Sequence, residues 1–397
     1  MTHAQASTAE IPPTLGGPAS REFDLLCSSA CVNVPPERAT RIVTIIEDGI
    51  DWKEFLRLAE HHGVLPLAAR NLTSAPGVPI EIAQLLQQAF DTNVRRNLWF
   101  ATELARIVEH FEQKKIKAVP YKGPTLAQSA YGDIALRNFS DLDFLIAPSD
   151  LARAKTALGQ LGYHPSNTLS PAVERFWLRK GYERSFDGPA GKYLLELQWR
   201  LLPYFYAVDL RTENLLRRSR RTSAGGPEVP CLSPEDTLLV LCVHAAKHLW
   251  IRLIWVCDIA ETVRTQPIDY TLALSRANSL GITHFVLVSL WLANRLLRCG
   301  IPEELEQAIA TGPAVPALGE EFAARLARAA TYDFESTEYF RWILRLRERG
   351  SDRCRYLWRL VLTPGVGDIA SVRLPEALFP LYRGVRLARL IRKLILR

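Results

Sequence analysis

The sequence predicts an α/β (α+β) chain, a small mixed β-sheet core flanked by helical N- and C-terminal regions. Three observations lead there. Apolar residues recur at helical spacing from Arg21 to about Gln113; short extended segments punctuated by turn residues follow between about Lys115 and Leu202; helical periodicity returns from Ser233 nearly to the end. At 397 residues and 48% hydrophobic, the chain can bury a large core and is expected to divide into two or three compact units.

Residues 1–20, rich in Pro, Gly and Ala, read as a mobile leader without the basic and apolar segments of a signal peptide. In the helical region 21–114, Ile42, Ile45 and Ile46, then Phe55, Leu56, Leu58 and Ala59, mark apolar faces before a break at Gly63. The core, 115–202, begins with an extended candidate from Lys117 to Tyr121, a Gly-Pro turn and a helix to Tyr131. Asp141-Leu142-Asp143-Phe144-Leu145-Ile146 then alternates as a strand does. Ser149 or Asp150 caps a helix from Leu151 to Leu161, which stops at Gly162. Strands are expected from Tyr182 to Phe186 and from Tyr193 to Leu201, around the turn Asp187 to Gly191. Residues 203–232 read as a linker, and Ser233 caps the first helix of a C-terminal domain, 233–397.

The longest apolar runs, Thr237 to Val243 and Phe285 to Ala293, fall short of the roughly 20 residues of a membrane span. A cytoplasmic location is the expectation. Seven scattered cysteines, an odd number, argue for reduced thiols over a disulfide framework. Cys27 and Cys31 read as one face of a helix, and Cys242 and Cys257 as core. A net charge of +7 favours anionic ligands: nucleotides, nucleic acid or an acidic membrane surface. Arg217, Arg218, Arg220 and Arg221 form one basic block.

Residues two apart on a strand share a face, so Asp141 and Asp143 set two carboxylates side by side. Like charges that close call for a cation, and Mg²⁺ held by carboxylates and substrate phosphates answers. Glu196, flanked by apolar residues, supplies a third acid whose ionised form is costly unless paired or metal-bound. Three acids bridging two metals hold the attacking and leaving oxygens of an in-line phosphoryl displacement. Asp-x-Asp alone is a weak signal that reads better as Asp141 capping a turn with Asp143 and Glu196 on a solvated strand face, so the surroundings matter. Lys122-Gly123 closes a strand and opens a helix, where backbone N–H groups and the positive helix end bind phosphate. Arg137 is a second cation for phosphate neutralisation.

The order Lys122-Gly123, a helix, Arg137-x-x-Ser140-Asp141-x-Asp143 on a strand, a helix ending in Leu161-Gly162-Tyr163, then Leu195-Glu196-x-x-Trp199-Arg200 resembles the uncharacterised nucleotidyltransferases of the DNA-polymerase-beta-like superfamily, which are bacterial proteins. The likeness continues through His244 to Trp250, Leu253, Trp255 and Asp258, and again from Leu374-Pro375 to Leu381-Tyr382. It implies that Asp141 and Asp143 bind the catalytic metal with Glu196 as third carboxylate, and that the turn at Gly123 contacts the triphosphate. With Mg²⁺ or Mn²⁺ as the metal, Lys122, Arg137 and Ser140 are expected to position a nucleoside triphosphate donor such as ATP beside Gly123. The acceptor stays open among small molecule, peptide and RNA. Two departures stand out. Gly123-Pro124 replaces the usual Gly-Ser or Gly-Gly and removes one N–H from the phosphate cradle, and Gln198 stands where His is expected.

His244 and His248 have the i, i+4 spacing of a zinc pair, but Ala245 stands where a zinc protease carries Glu. Two readings remain: histidines packed at an interface, or Lys247 and His248 facing the acidic cleft to bind phosphate or acceptor. Asp258 then orients one of these groups or pairs with Arg252. Rival functions are a nucleotide- or partner-binding module without turnover, and a toxin-like transferase acting on RNA. At the C-terminus Leu387, Leu390, Ile391, Leu394 and Ile395 form an apolar stripe, with Arg386, Arg389, Lys393 and Arg397 on another face. This is either a docked helix with a solvated basic side or an amphipathic contact to anionic lipid or a protein partner.

Overall fold

Ser20 accepts a hydrogen bond from the Phe23 N–H and caps the first helix, α1 (Arg21–Ser29). The computed structural model describes residues 20–395 apart from 224, 225, 335 and 373, so the expected leader, its last residue excepted, lies outside the described residues. Helices α2 (Pro36–Glu47), α3 (Trp52–His61) and α4 (Leu65–Leu72) complete an N-terminal bundle. Cys31 lies beyond the end of α1, so it shares no helix face with Cys27, although both are buried. Helix α5 (Ile80–Gln113) has 34 residues and is therefore about 50 Å long.

The expected strand after α5 is β1 (Ala118–Pro120), followed by α6 (Gly123–Tyr131) and β2 (Leu142–Ile146). A 3-10 turn leads into α7 (Leu151–Gln160), and no side chain caps it, contrary to the expected role of Ser149 or Asp150. Then come β3 (His164–Pro165), α8 (Pro171–Lys180), β4 (Glu183–Gly188) and β5 (Gly191–Gln198). The sheet runs β1-β2-β5-β4-β3, with β2 and β5 parallel and the other pairs antiparallel. All five residues of β2 are buried, because the strand is central and covered on both sides. Leu142, Phe144 and Ile146 enter one core with Phe111 of α5 and Leu158 of α7; Leu145, on the opposite face, enters another.

The stretch 203–232 is no bare linker. It holds α9 (Thr212–Arg217) and a hairpin of β6 (Arg220–Ser223) and β7 (Glu228–Cys231), which lies against β1. Its arginine block is partly folded in: Arg218 donates two hydrogen bonds, 2.7 and 2.8 Å, to the buried Asp236.

Ser233 caps α10 (Pro234–Lys247) as expected, accepting from the Asp236 N–H. Beyond it run α11 (Leu253–Thr265), α12 (Tyr270–Leu280), α13 (Thr283–Leu297), α14 (Glu303–Thr311), α15 (Ala314–Ala327), α16 (Thr337–Leu346), α17 (Gly350–Leu362), α18 (Val366–Ser371) and α19 (Tyr382–Ile395). Phe23, Phe55 and Leu67 pack into the same core as Leu239, Trp250 and Leu292, so the two helical regions meet as one body around the sheet. Cys242 and Cys257 are fully buried in it. Among the described residues no helix is long and apolar enough to cross a membrane.

The expected polarity of the C-terminal helix is inverted in part: Leu390 packs against the core, but its neighbours do not follow. Arg386 and Arg389 turn inward to the fully buried Asp368, and Arg386 also donates to the Leu360 carbonyl. Leu387 and Ile391 are left about half exposed. A buried carboxylate without a cation is costlier than two exposed aliphatic side chains, which explains the inversion. The side chains of Lys393, Leu394 and Ile395, and all of Arg397, lie outside the described residues.

Candidate active site

Parallel pairing of β2 with β5 places Asp143 directly opposite Glu196. Side chains alternate across a strand, so while Leu195 and Leu197 point into the core beneath the sheet, Glu196 and Gln198 point with Asp143 to its other face. Asp141 joins from the loop entering β2, and oxygens of Asp141, Asp143 and Glu196 all lie within 4.8 Å of one another. The three expected acids therefore converge on one point.

Gln198 organises them. Its amide nitrogen donates to Asp143 Oδ1 at 3.1 Å and to Glu196 Oε2 at 3.0 Å, while its oxygen accepts from the buried Tyr121 hydroxyl at 2.8 Å. Because Tyr121 occupies the oxygen, the NH₂ end faces the carboxylates. The Ser185 hydroxyl, on the neighbouring β4, lies 3.5 Å from Glu196 Oε1. Glu183, the register partner of Gln198, adds a fourth negative charge nearby. Burial and then the Asp143 charge push Glu196 up to about 8, and the same causes in the same order push Asp141 up to about 6. At neutral pH Glu196 therefore keeps its proton unless a cation takes its place.

Lys122 is the cation already present. Its Nζ sits 3.4 Å from Asp143 Oδ2 and donates to His244 Nδ1 at 3.1 Å. Burial first, and then the Lys122 charge, hold His244 far below the usual histidine range, so the ring is neutral and free to accept. Gly123 follows at φ +55 and opens α6; a β-carbon there would stand 3.4 Å from the Asp141 carbonyl oxygen in a backbone region that side chains rarely adopt. The turn thus brings a helix N-terminus beside the acids. Pro124 removes one of its N–H groups. Ser140 is exposed at the entrance to β2.

Lys247 of α10 faces the same cluster: burial lowers its affinity for a proton, opposed chiefly by Glu183 and also by Glu196 and Asp143. Its Nζ lies 5.1 Å from the centre of the Tyr182 ring. His248 does not share this environment. It packs against His244, Trp255 and Phe334 at ring-centre distances of 4.6, 4.9 and 5.3 Å, which favours the interface reading for the histidine pair.

Arg137 departs from the expectation of a phosphate ligand. It is 4% exposed, and its Nε and Nη2 donate to the two oxygens of Asp258 at 2.7 and 2.9 Å. Asp258 also accepts from the Tyr131 hydroxyl at 2.7 Å, so its expected partners, Arg252 or the Lys247–His248 group, give way to Arg137 and Tyr131. A buried carboxylate this close captures the guanidinium before any ligand arrives. Asn93 and Asn97 of α5 complete the clamp by donating to the carbonyls of Ala135 and Arg137, at 2.7 and 2.8 Å respectively. Together these groups fix the loop that delivers Asp141.

Sequence reasoning missed Tyr121, Glu183, Asn93 and Asn97. Glu183 was within reach, because a hairpin joining the two expected strands sets it beside Gln198. Two buried asparagines at i, i+4 in a long helix also signal a backbone clamp.

An all-carboxylate donor set beside a helix N-terminus, in which burial and mutual repulsion raise Glu196 and Asp141 in the absence of a cation, has the chemistry of a hard divalent-metal site. No curated protein and no solved structure matches the chain. The family described as uncharacterised nucleotidyltransferase matches residues 48–298, well over half of the chain and all of the acidic site, and the protein belongs to that family.

Proposed function

We propose that the protein transfers a nucleoside monophosphate from a nucleoside triphosphate to an acceptor hydroxyl, at the site formed by Asp141, Asp143 and Glu196. The observation that carries this reading is the meeting of three carboxylates within 4.8 Å beside the Gly123 helix N-terminus. The oxygen donors suit Mg²⁺ or Mn²⁺, which when bound supplies neutralisation of the triphosphate and of charge developing at the α-phosphorus. Asp141, Asp143 and Glu196 would hold it.

The chain's own groups then divide the work. Gly123 and Thr125 offer first-turn N–H groups to phosphate oxygens, and Lys122, swinging from Asp143, supplies a point charge. Lys247 adds a second positive charge toward the same acids from α10. The acceptor oxygen bonds to the α-phosphorus as the bridging α–β P–O bond breaks, and pyrophosphate leaves. Glu196, ionised once a cation has displaced its proton, receives the hydroxyl proton at Oε1 or Oε2. Gln198 orients both carboxylates throughout.

Parallel incubations with α-labelled and γ-labelled triphosphates, Mg²⁺ and a cell extract test the reading. Nucleotidyl transfer carries the α label into product and the γ label into pyrophosphate. Product labelled only from the γ position would mean phosphoryl transfer and sink the proposal.

A further inference from the structure

Beyond the acidic site, two cavities of about 570 and about 720 Å³ adjoin at Tyr204 and Arg359, which line both. They lie where the end of β5 and helix α8 face α17 and the start of α19. Three cations crowd one ring there: Lys180 Nζ and the Arg359 guanidinium are each 4.3 Å from the centre of Tyr204, and Arg200 is 5.3 Å away. Arg179 and Arg383 extend the same wall. None of these five cations is ion-paired with a carboxylate among the described residues. Of the three acids in the lining, Asp209 is engaged by Arg211 and Glu376 by Arg175, and the exposed Glu213 is ion-paired with none of the five cations. Like charges gathered without counter-ions repel, and a polyanion along the groove relieves them.

The groove also offers aromatic surface. Trp358 is 70% exposed on its wall, close to Phe379 and Arg383. The buried indole N–H of Trp199, in the wall of the smaller cavity, has no hydrogen-bond partner. Cations that track a backbone, joined to an open aromatic face on which bases stack, are the two components of single-strand recognition. Trp199 and Arg200 directly follow Gln198, and at strand spacing Arg200 lies roughly 13 Å along the chain from Glu196.

We propose that this groove binds a single-stranded polynucleotide and presents its terminal hydroxyl to the acids as the acceptor. The inference deepens the transferase reading and rests on it for the reaction: the terminal oxygen gains the α-phosphorus, its proton passes to Glu196, and pyrophosphate departs. Binding itself does not depend on turnover.

The test is fluorescence anisotropy of the full chain with a labelled mixed-sequence RNA of about 12 nucleotides, within the range such grooves accommodate, as single strand and as duplex over a salt series. The single strand is expected to bind more tightly than the duplex. Trp358→Ala, an exposed position that leaves the fold intact, should weaken single-strand binding by about five- to a hundredfold at an unchanged salt slope. Lys180→Gln and Arg383→Gln should each reduce the slope by about one. No binding at low salt, or equal binding of both forms with Trp358→Ala silent, overturns the proposal; the second result would mark a general polyanion surface. Pyrophosphate release on other acceptors without RNA binding sinks the groove alone, whereas RNA binding without any triphosphate turnover sinks the transferase reading and leaves the groove.

Discussion

Asp143 and Glu196 face each other across two parallel strands, and one amide, that of Gln198, donates to both. The pair exists because the register of β2 on β5 matches them, and it is held because Tyr121 fixes the amide. Gln198→Leu removes the donor from two carboxylates and leaves the buried Tyr121 hydroxyl unsatisfied. Urea unfolding of this variant should show a loss of about 1–3 kcal/mol. An unchanged midpoint would mean that Gln198 merely accompanies the acids.

Glu196 is raised to about 8, above its ordinary value, whereas His62, His244 and His248 are lowered by burial and oppose it only at pH values where an unfolded histidine is charged. Between about pH 7 and 8 the metal-free folded chain therefore holds a proton on Glu196 that the unfolded chain has lost. Stability without metal should therefore fall as pH rises through that window. Added Mg²⁺ or Mn²⁺ should reverse the fall, with affinity increasing from pH 6 to 8 as protons are displaced. Glu196→Gln should flatten the upper part of the profile. Thermal unfolding in EDTA across the window checks this, and a flat wild-type profile would contradict it.

The Arg137–Asp258 pair lies away from solvent with both carboxylate oxygens used. Arg137→Ala strands a buried carboxylate, which costs about 3–5 kcal/mol. The loss should appear in the melting temperature. A stable variant with raised nucleotide KM would instead return Arg137 to the phosphate role.

Lys122→Ala removes the cation beside Asp143 without disturbing the backbone turn. Nucleotide KM should rise by an amount equivalent to about 1.5–3 kcal/mol, with acceptor KM little changed. Equal effects on both substrates would assign Lys122 to structure.

The acids were legible in the sequence because a strand's period of two is strict: Asp141 and Asp143 must share a side, and Glu196 could avoid the core only on that same side. What lay hidden depended on partners distant in sequence. Arg137 looked like a phosphate ligand until Asp258, 121 residues away, claimed it. Gln198 looked like a defect in a pattern, since only the register of β5 reveals what its amide reaches. The hairpin β6–β7 escaped notice because both strands have only four residues, β6 opens on two arginines and β7 holds a proline. Helix α8 has no fully buried side chain and hence no apolar stripe to announce it. At the C-terminus buried Asp368 drew Arg386 and Arg389 inward and left Leu387 and Ile391 exposed, while Leu390 packs on the core.

The central claim is that Asp141, Asp143 and Glu196 form a metal-dependent transfer site. Its most direct test is pyrophosphate release from each nucleoside triphosphate by the wild type and by Asp143→Asn, with Mg²⁺ or Mn²⁺ and with EDTA, in the presence of acceptor extract. Asp143→Asn keeps the side-chain shape and removes one charge from a repelling cluster, so it should fold normally. Release by the wild type that EDTA abolishes, and none by the folded variant, is expected. Release by Asp143→Asn at the wild-type rate, or by the wild type in EDTA, would contradict it.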